Sequence, residues 1–152
     1  MAEPTSVSWA YAPEIHLAKL DGAVLNGDDD LFTITGGPIL VREFIGIVTT
    51  LIGGAANMTI NITTTNPAGQ TALSSTVAIN DDAKGTSYTF TAASPSVLTP
   101  TTAGAIPNVP RLGWLCPIGT IQATGSAAQT GVIAWYMSYV PLSASSAVAV
   151  AS

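Results

Sequence analysis

Alternation of apolar and polar residues is the clearest pattern in this chain. Residues 57–65 alternate strictly, with Met and Ile on one face and Asn or Thr on the other, which is typical of a half-buried antiparallel strand. Residues 31–35 alternate in the same way, and residues 39–52 form a longer run rich in Ile, Val, Leu and Thr. These three segments are predicted strands, and the length of the second indicates a well-buried one.

Turn residues separate these segments from further β segments. Glycine pairs, Asn-Pro and Asn-Asp clusters interrupt the apolar runs and mark turns by their backbone preferences. The strands predicted between and after these turns cover residues 71–79, 86–92, 119–124 and 131–142. Residues 94–118 contain five prolines, so a long ordered loop carrying Arg111 and Trp114 is expected there.

About seven short strands at intervals of 8 to 12 residues, without a long amphipathic helix, predict an all-β fold. We expect an antiparallel β-sandwich, jelly-roll-like, or a barrel, built by residues 31–142. Residues 1–30 are predicted to form an extended N-terminal arm, because prolines discourage a helix and no regular strand pattern is visible. Residues 143–152 contain only Ala, Ser and Val, so a flexible tail is expected.

Charge is nearly absent from the body of the chain. Only 9% of the 152 residues are charged, against roughly a quarter in ordinary soluble domains. From residue 45 to 79 there is no charged side chain, and from residue 85 to the end Arg111 is the only one. A wet but uncharged β surface suits permanent contact with neighbouring subunits, which indicates a structural or assembly protein.

Composition also excludes several partners and settings. With four cations and a net charge of -5, no basic patch for nucleic acid can be assembled. The strongest apolar window, residues 39–56, is interrupted by charged residues, Thr and Gly, so no membrane-spanning helix and no membrane partner are expected. The N-terminal residues lack the pattern of a secretory signal, and the lone Cys116 fits synthesis in a reducing cytoplasm.

Candidate chemistry is sparse. His16 is the only histidine, and Cys116 has no cationic neighbour in the sequence to activate it. The acidic runs 28–30 and 81–82 could offer oxygen ligands to a hard cation, but their spacing does not match a calcium loop, and turn residues commonly bond the local backbone instead. The sequence therefore predicts no enzyme, no metal site and no cofactor.

Aromatic residues indicate two candidate contact regions. In the arm, Trp9, Tyr11 and Ile15 have no regular strand around them, so they are expected to gain burial by attachment to a neighbour. Residues 132–140 are apolar on both faces, which implies cover by a second sheet or by a partner subunit. The second alternative places Trp135, Tyr136 and Tyr139 at an oligomer interface, where aromatic residues are favoured.

A run of short motifs carries a resemblance to a known class. They are LFTITGGPIL at 31–40, GIVTT at 46–50, GTSYTFT at 85–91, PIGTI at 117–121, TGVIAW at 130–135 and YVPL at 139–142. In their order, over residues 31–142, they resemble small virion proteins of tailed bacteriophages, in particular head decoration, or cement, proteins. None of these motifs is catalytic.

The resemblance implies a β-sandwich that attaches to the major capsid protein on the outer surface of the virion head. It further implies self-association, often as a homotrimer. The alternatives are a tail or fibre component and, from another class, a carbohydrate-binding β-sandwich module, which would require exposed aromatic residues.

Overall fold

The computed structural model describes residues 13–91, 98–101 and 111–152, and among these no residue is helical. The all-β fold class is confirmed: an antiparallel sheet curls into a half-barrel. Its strands are β1 (Ile15–Thr35), β2 (Ile39–Gly53), β3 (Asn57–Thr65), β4 (Ala68–Ala72), β5 (Val77–Ala78), β6 (Ser87–Phe90), β7 (Leu98–Thr101), β8 (Trp114–Cys116), β9 (Gly119–Pro141) and β10 (Ala147–Val150).

Strand β9 is the centre of the sheet. Along one edge it pairs with β1 over nearly its whole length, while its other edge pairs first with β3 and then with β2. The main path of the sheet is β10-β1-β9-β2-β6-β7; β4 and β5 extend it from β3, and β8 pairs with β2. Two different partners along one edge let the sheet enclose a single core.

The predicted boundary of the N-terminal arm at residue 30 is wrong for the described residues. Residues 15–30 belong to β1 and are hydrogen-bonded to β9, with Ile15 opposite Tyr139 and Asp30 opposite Gln122. Four register irregularities interrupt this pairing, and each bulge shifts the inside-outside alternation by a residue. Those shifts hide the strand from a search for period-two alternation.

The predicted break between residues 124 and 131 is also absent. The segment joining the two expected strands continues as part of β9, which is 23 residues long. Gly131 has a φ of +126°, a backbone conformation open to glycine but not to other residues at low cost. The glycine therefore allows a local distortion in the strand where the sequence pattern suggested a turn.

The C-terminal tail, expected to be flexible, is instead paired. β10 lies antiparallel to the end of β1, with Phe32 opposite Val150. Beyond this strand the N–H of Ala151 donates to the carbonyl of Leu31, and the Lys19 ammonium donates to the carbonyl of Ala151 over 3.1 Å. Small side chains offer little area for burial, but backbone hydrogen bonds hold the segment.

Several sequence predictions agree closely with the structure. β2 and β3 match the predicted strands 39–52 and 57–65, and the Met and Ile residues of β3 are buried on one face. Within the predicted proline-rich loop, β7 and β8 are short strands of four and three residues. Pro100 lies in β7, which ends the main path of the described sheet, where a missing N–H is tolerated.

Aromatic side chains form the centre of the core. The Phe44 ring lies 5.5 Å from that of Trp135 and 5.5 Å from that of Phe90, between centroids. Trp135 fits between two glycines on the flanking strands: a Cβ added at Gly46 would lie 2.5 Å from its Cζ3, and one added at Gly22 would lie 2.8 Å from its Cδ1. Glycine at these two positions makes room for the indole.

Candidate contact face

Of the three attachment residues that the sequence predicts, the structure describes one, Ile15. Trp9 and Tyr11 lie outside the described residues. Ile15 begins β1, is partly exposed, and pairs with Tyr139 of β9. It is therefore a strand residue at the edge of the sheet.

Two of the three predicted interface residues are core residues. Trp135 is 1% exposed and Tyr139 is 3% exposed, so neither is available to touch a partner, and their assignment to an oligomer interface is wrong. Burial by the chain's own sheet, the other alternative raised by the sequence, accounts for both. Tyr136 is different, because it alternates to the outer face of β9 and is 39% exposed.

Around Tyr136, three strands bring their outward side chains into rows. In an antiparallel pair, residues directly opposite each other point to the same face. Tyr136 is opposite Ala18 of β1 on one side and Ile45 of β2 on the other. Because the side chains of Ala18, Tyr136 and Ile45 point away from the core, they form the centre of an outer apolar surface.

A second apolar row lies farther along the same face. Leu40 of β2 is opposite Val140 of β9 and also opposite Leu115 of β8. Leu115 is 66% exposed. We call the surface formed by these rows the contact face. Its exposed apolar side chains are Leu115 and Tyr136, Leu40 and Ile45 are partly exposed, and Val140 is 6% exposed.

Between the two apolar rows lies a polar row. Ser138 of β9 is opposite His16 of β1 and opposite Glu43 of β2. These three residues help to line a pocket of about 120 Å³, whose other lining residues are Leu17, Ile45, Tyr136 and Met137. Sequence reasoning considered His16 alone; Ser138 and Glu43 are joined to it only by the strand register.

The hydroxyl of Ser138 has an unusual environment. The residue is 2% exposed, and its Oγ has no hydrogen-bond partner among the described residues. A buried hydroxyl without a partner costs about 1–3 kcal/mol relative to one that is satisfied. A ligand in the pocket could supply the missing hydrogen bond to the Ser138 hydroxyl.

The order of this row differs from that of a catalytic triad. In a triad, the histidine stands between the serine and the acid, taking the serine proton while the acid orients the ring. Here Ser138 stands in the middle, so His16 and Glu43 are separated by two strand spacings of about 4.8 Å each. The arrangement favours binding over nucleophilic catalysis.

The acidic run 28–30, considered as a cation site, lies within β1. Asp28 accepts a hydrogen bond of 2.5 Å from the Thr124 hydroxyl, and Asp30 accepts one of 2.6 Å from the Gln122 amide. Asn61 in turn donates to Thr124 over 2.6 Å. These side chains form a cross-strand polar ladder whose donors and acceptors largely satisfy one another.

The second acidic run, 81–82, holds a loop. Asp81 accepts a hydrogen bond of 2.7 Å from the backbone N–H of Gly54, and Asp82 accepts one from the Tyr88 hydroxyl. Burial, together with that bond to Asp82, raises the pKa of Tyr88. In the part of the chain that the structure describes, no group of three or more His, Cys, Asp or Glu side chains is placed to hold a metal ion.

Asp29, between the two ladder carboxylates, is half-buried. Burial raises its pKa, because desolvation disfavours the carboxylate; the hydrogen bond from the N–H of Ala23 and the nearby Lys19 ammonium act in the opposite direction. With a raised pKa, the folded chain binds more protons than the unfolded chain above about pH 3.8. The ionised Asp29 therefore costs stability at neutral pH, and this cost is lost as pH falls through its raised pKa.

We expect Asp29→Asn to be at least as stable as the wild type at neutral pH, because the amide keeps an acceptor for Ala23 without a buried charge. The advantage should shrink as the pH approaches 4, where the wild-type carboxyl becomes protonated. Urea unfolding at several pH values measures this, with Asp30→Asn as the control for net charge. An advantage that is independent of pH would contradict the assignment.

Cys116 is fully buried in β8, and burial raises the pKa of its thiol to about 12. Since the thiolate is the reactive species, we expect the native protein to resist iodoacetamide at pH 8. In denaturant, the chain should take up one equivalent of label. Mass spectrometry distinguishes the two cases, and rapid complete labelling of the native protein would show that the thiol is accessible.

The long edge of β1 is poorly suited to docking by strand addition. Among the described residues, β10 covers this edge only at Phe32–Thr35. The remainder is interrupted by bulges and carries Asp21 and the run 28–30, and both features discourage pairing with another strand. The contact face, rather than this edge, is thus the better candidate for an interface.

Comparison with known proteins adds no relative: no family model, no curated protein and no solved structure matches the chain. The described residues also contain no helix long and apolar enough to cross a membrane.

Proposed function

We propose that this chain is a structural protein of a virus particle, a decoration protein that attaches to the outer surface of a tailed-phage head and stabilises it. The observation that carries the proposal is the contact face. It places two exposed apolar side chains, Tyr136 and Leu115, and the partly exposed Leu40 and Ile45 on the outside of a sheet whose core is already filled. Exposed apolar side chains grouped on one face of a folded unit and bordered by polar residues mark sites of protein interaction.

The low charge of the chain supports the same function. A decoration protein makes permanent contacts at many equivalent sites, and contacts made by apolar surface are less sensitive to salt than exposed ion pairs are. The resemblance of residues 31–142 to head decoration proteins motivates the choice of the capsid exterior. The partner is then the major capsid protein.

Self-association as a trimer stays a prediction, and fewer exposed residues now support it. Of the three aromatic residues that motivated it, only Tyr136 is exposed. In this proposal the contact face is occupied by the capsid protein, and a contact between copies would use other surfaces.

Two alternatives differ in what the contact face would meet. A tail or fibre component would use the same kind of surface at another place on the particle. A carbohydrate-binding module would need free polar groups beside exposed aromatic residues. The polar ladder serves that purpose poorly, because its Asp, Gln and Thr side chains bond one another. The polar row of the contact face does offer free groups, but a single tyrosine ring, that of Tyr136, lies beside them.

Particles with and without the protein test the proposal. Electron microscopy of particles carrying the labelled protein should place the label on the outside of the head, and particles lacking the protein should release their genome at a lower temperature. Label on the tail would replace the proposal by the first alternative. Equal release temperatures would remove the stabilising role.

A further inference from the structure

We propose that the pocket on the contact face binds an arginine side chain of the capsid protein. This inference rests on the proposed function, and it adds the chemistry by which the face recognises its partner. The guanidinium would lie between the Glu43 carboxylate and the Ser138 hydroxyl, beside the ring of Tyr136.

The pocket has a suitable size for this group. It is open to solvent on one side, and its volume of about 120 Å³ is several times the roughly 10–15 Å³ that one water needs on the same measure. That is room for a planar guanidinium and the last methylenes of its side chain. The lining matches both parts, since Ile45 and Tyr136 present carbon surface beside the polar row.

The charges at the pocket favour a cation with several donors. Glu43 supplies a carboxylate on the β2 side, and a guanidinium binds such a group with paired hydrogen bonds. The face of a tyrosine ring attracts the same cation. A lysine ammonium lacks the planar shape that can bond a carboxylate and contact a ring together.

Ser138 gives a second, independent reason to expect a ligand. Its Oγ accepts no hydrogen bond from the described residues, although it lies in the wall of the pocket. This oxygen is inaccessible to solvent, so the guanidinium can reach it only after a side chain at the rim of the pocket turns aside. The exposed His16, directly opposite Ser138 on β1, is the candidate. A guanidinium N–H could then occupy the empty acceptor position.

The chain's own cations make a second copy a poor source of this arginine. Lys19 is buried against the carbonyl of Ala151, and Arg111 is already paired with Glu14 at 2.5 Å. The remaining two basic residues, Arg42 and Lys84, belong to a chain of net charge -5, so copies repel one another. A different protein is the better donor.

The pocket can first be tested without the particle. N-acetyl-L-arginine amide, added to the labelled protein, should shift the NMR amide signals of His16, Glu43 and Ser138 in a saturable way. N-acetyl-L-citrulline amide, which has nearly the same shape but no charge, should not. Glu43→Gln should weaken arginine binding about tenfold, the value of a charge-assisted hydrogen bond. No shift at these residues, or equal binding of citrulline, would overturn the proposal.

Binding to particles then separates this inference from the proposed function. Glu43→Gln should lower the affinity for particles about tenfold, whereas Glu43→Asp should recover part of it, and Asp30→Asn should bind as the wild type does. If Glu43→Gln binds particles as tightly as the wild type does, the arginine contact is overturned and the decoration role is left intact. Failure of the wild type itself to bind any particle would instead refute the proposed function, on which the partner named here depends.

Discussion

Replacing Trp135 with alanine should lower the free energy of unfolding by about 3–5 kcal/mol, the range for truncating a large buried aromatic residue. The indole is 1% exposed and contacts the rings of Phe44 and Tyr88. It also fills the space left by glycines on both neighbouring strands, so alanine would leave a cavity that those strands cannot fill. A loss of this size is a large part of the stability of a typical domain, about 5–15 kcal/mol.

Urea unfolding followed by circular dichroism measures this effect. Tyr136→Ala is the matched control, because it truncates the next aromatic residue of the same strand on the outer face. Its cost should be much smaller, since the side chain is partly exposed. Similar costs for the two variants would contradict the assignment of Trp135 to the core and Tyr136 to the surface.

Tyr136→Glu should lower the affinity for the capsid by at least about a hundredfold, a loss of about 3 kcal/mol, within the range of interface hot spots. The substitution removes a central apolar ring and puts in its place a second carboxylate, which would have to be desolvated beside Glu43 when the face docks. Because position 136 is on the outer face, the variant should fold as the wild type does.

Leu25→Glu is the control for this variant. Leu25 is 40% exposed, against 39% for Tyr136, but it lies on β1 about seven residues, or roughly 23 Å, from the row of Ala18 and Tyr136. Pelleting with particles should show binding by Leu25→Glu and not by Tyr136→Glu, with sedimentation reporting any change in self-association. Equal binding by both variants would exclude the contact face as the attachment surface.

The strands that could be predicted from the sequence are those in which alternation survives undisturbed. β3 alternates over its whole length, and its boundaries agree with the prediction. Residues 31–35 of β1 were predicted, but residues 15–30 were missed because bulges between Lys19 and Phe32 change which face each residue occupies, and nothing in the local sequence marks them. β10 was missed because it depends on pairing with β1, a contact more than a hundred residues away along the chain.

The contact face could be predicted only in part, for a similar reason. Because residues 132–140 are apolar on both faces, the sequence indicated that both faces are covered, by the chain's own core or by a partner. It did not indicate which face of β9 packs against the core. Tyr136 and Trp135 are neighbours in the sequence and opposite in role. The row of His16, Ser138 and Glu43 depends on the register of three strands, and the single histidine was its only visible signal.

The central claim is that the contact face meets the capsid protein, and site-specific crosslinking tests it most directly. The photoreactive residue p-benzoylphenylalanine would replace Tyr136, and the protein would be bound to particles lacking it, illuminated and analysed by mass spectrometry. We expect a crosslink to the major capsid protein, and none when the same residue replaces Leu25. Crosslinks only between copies of this chain, or none at position 136 in protein that has bound, would contradict the account.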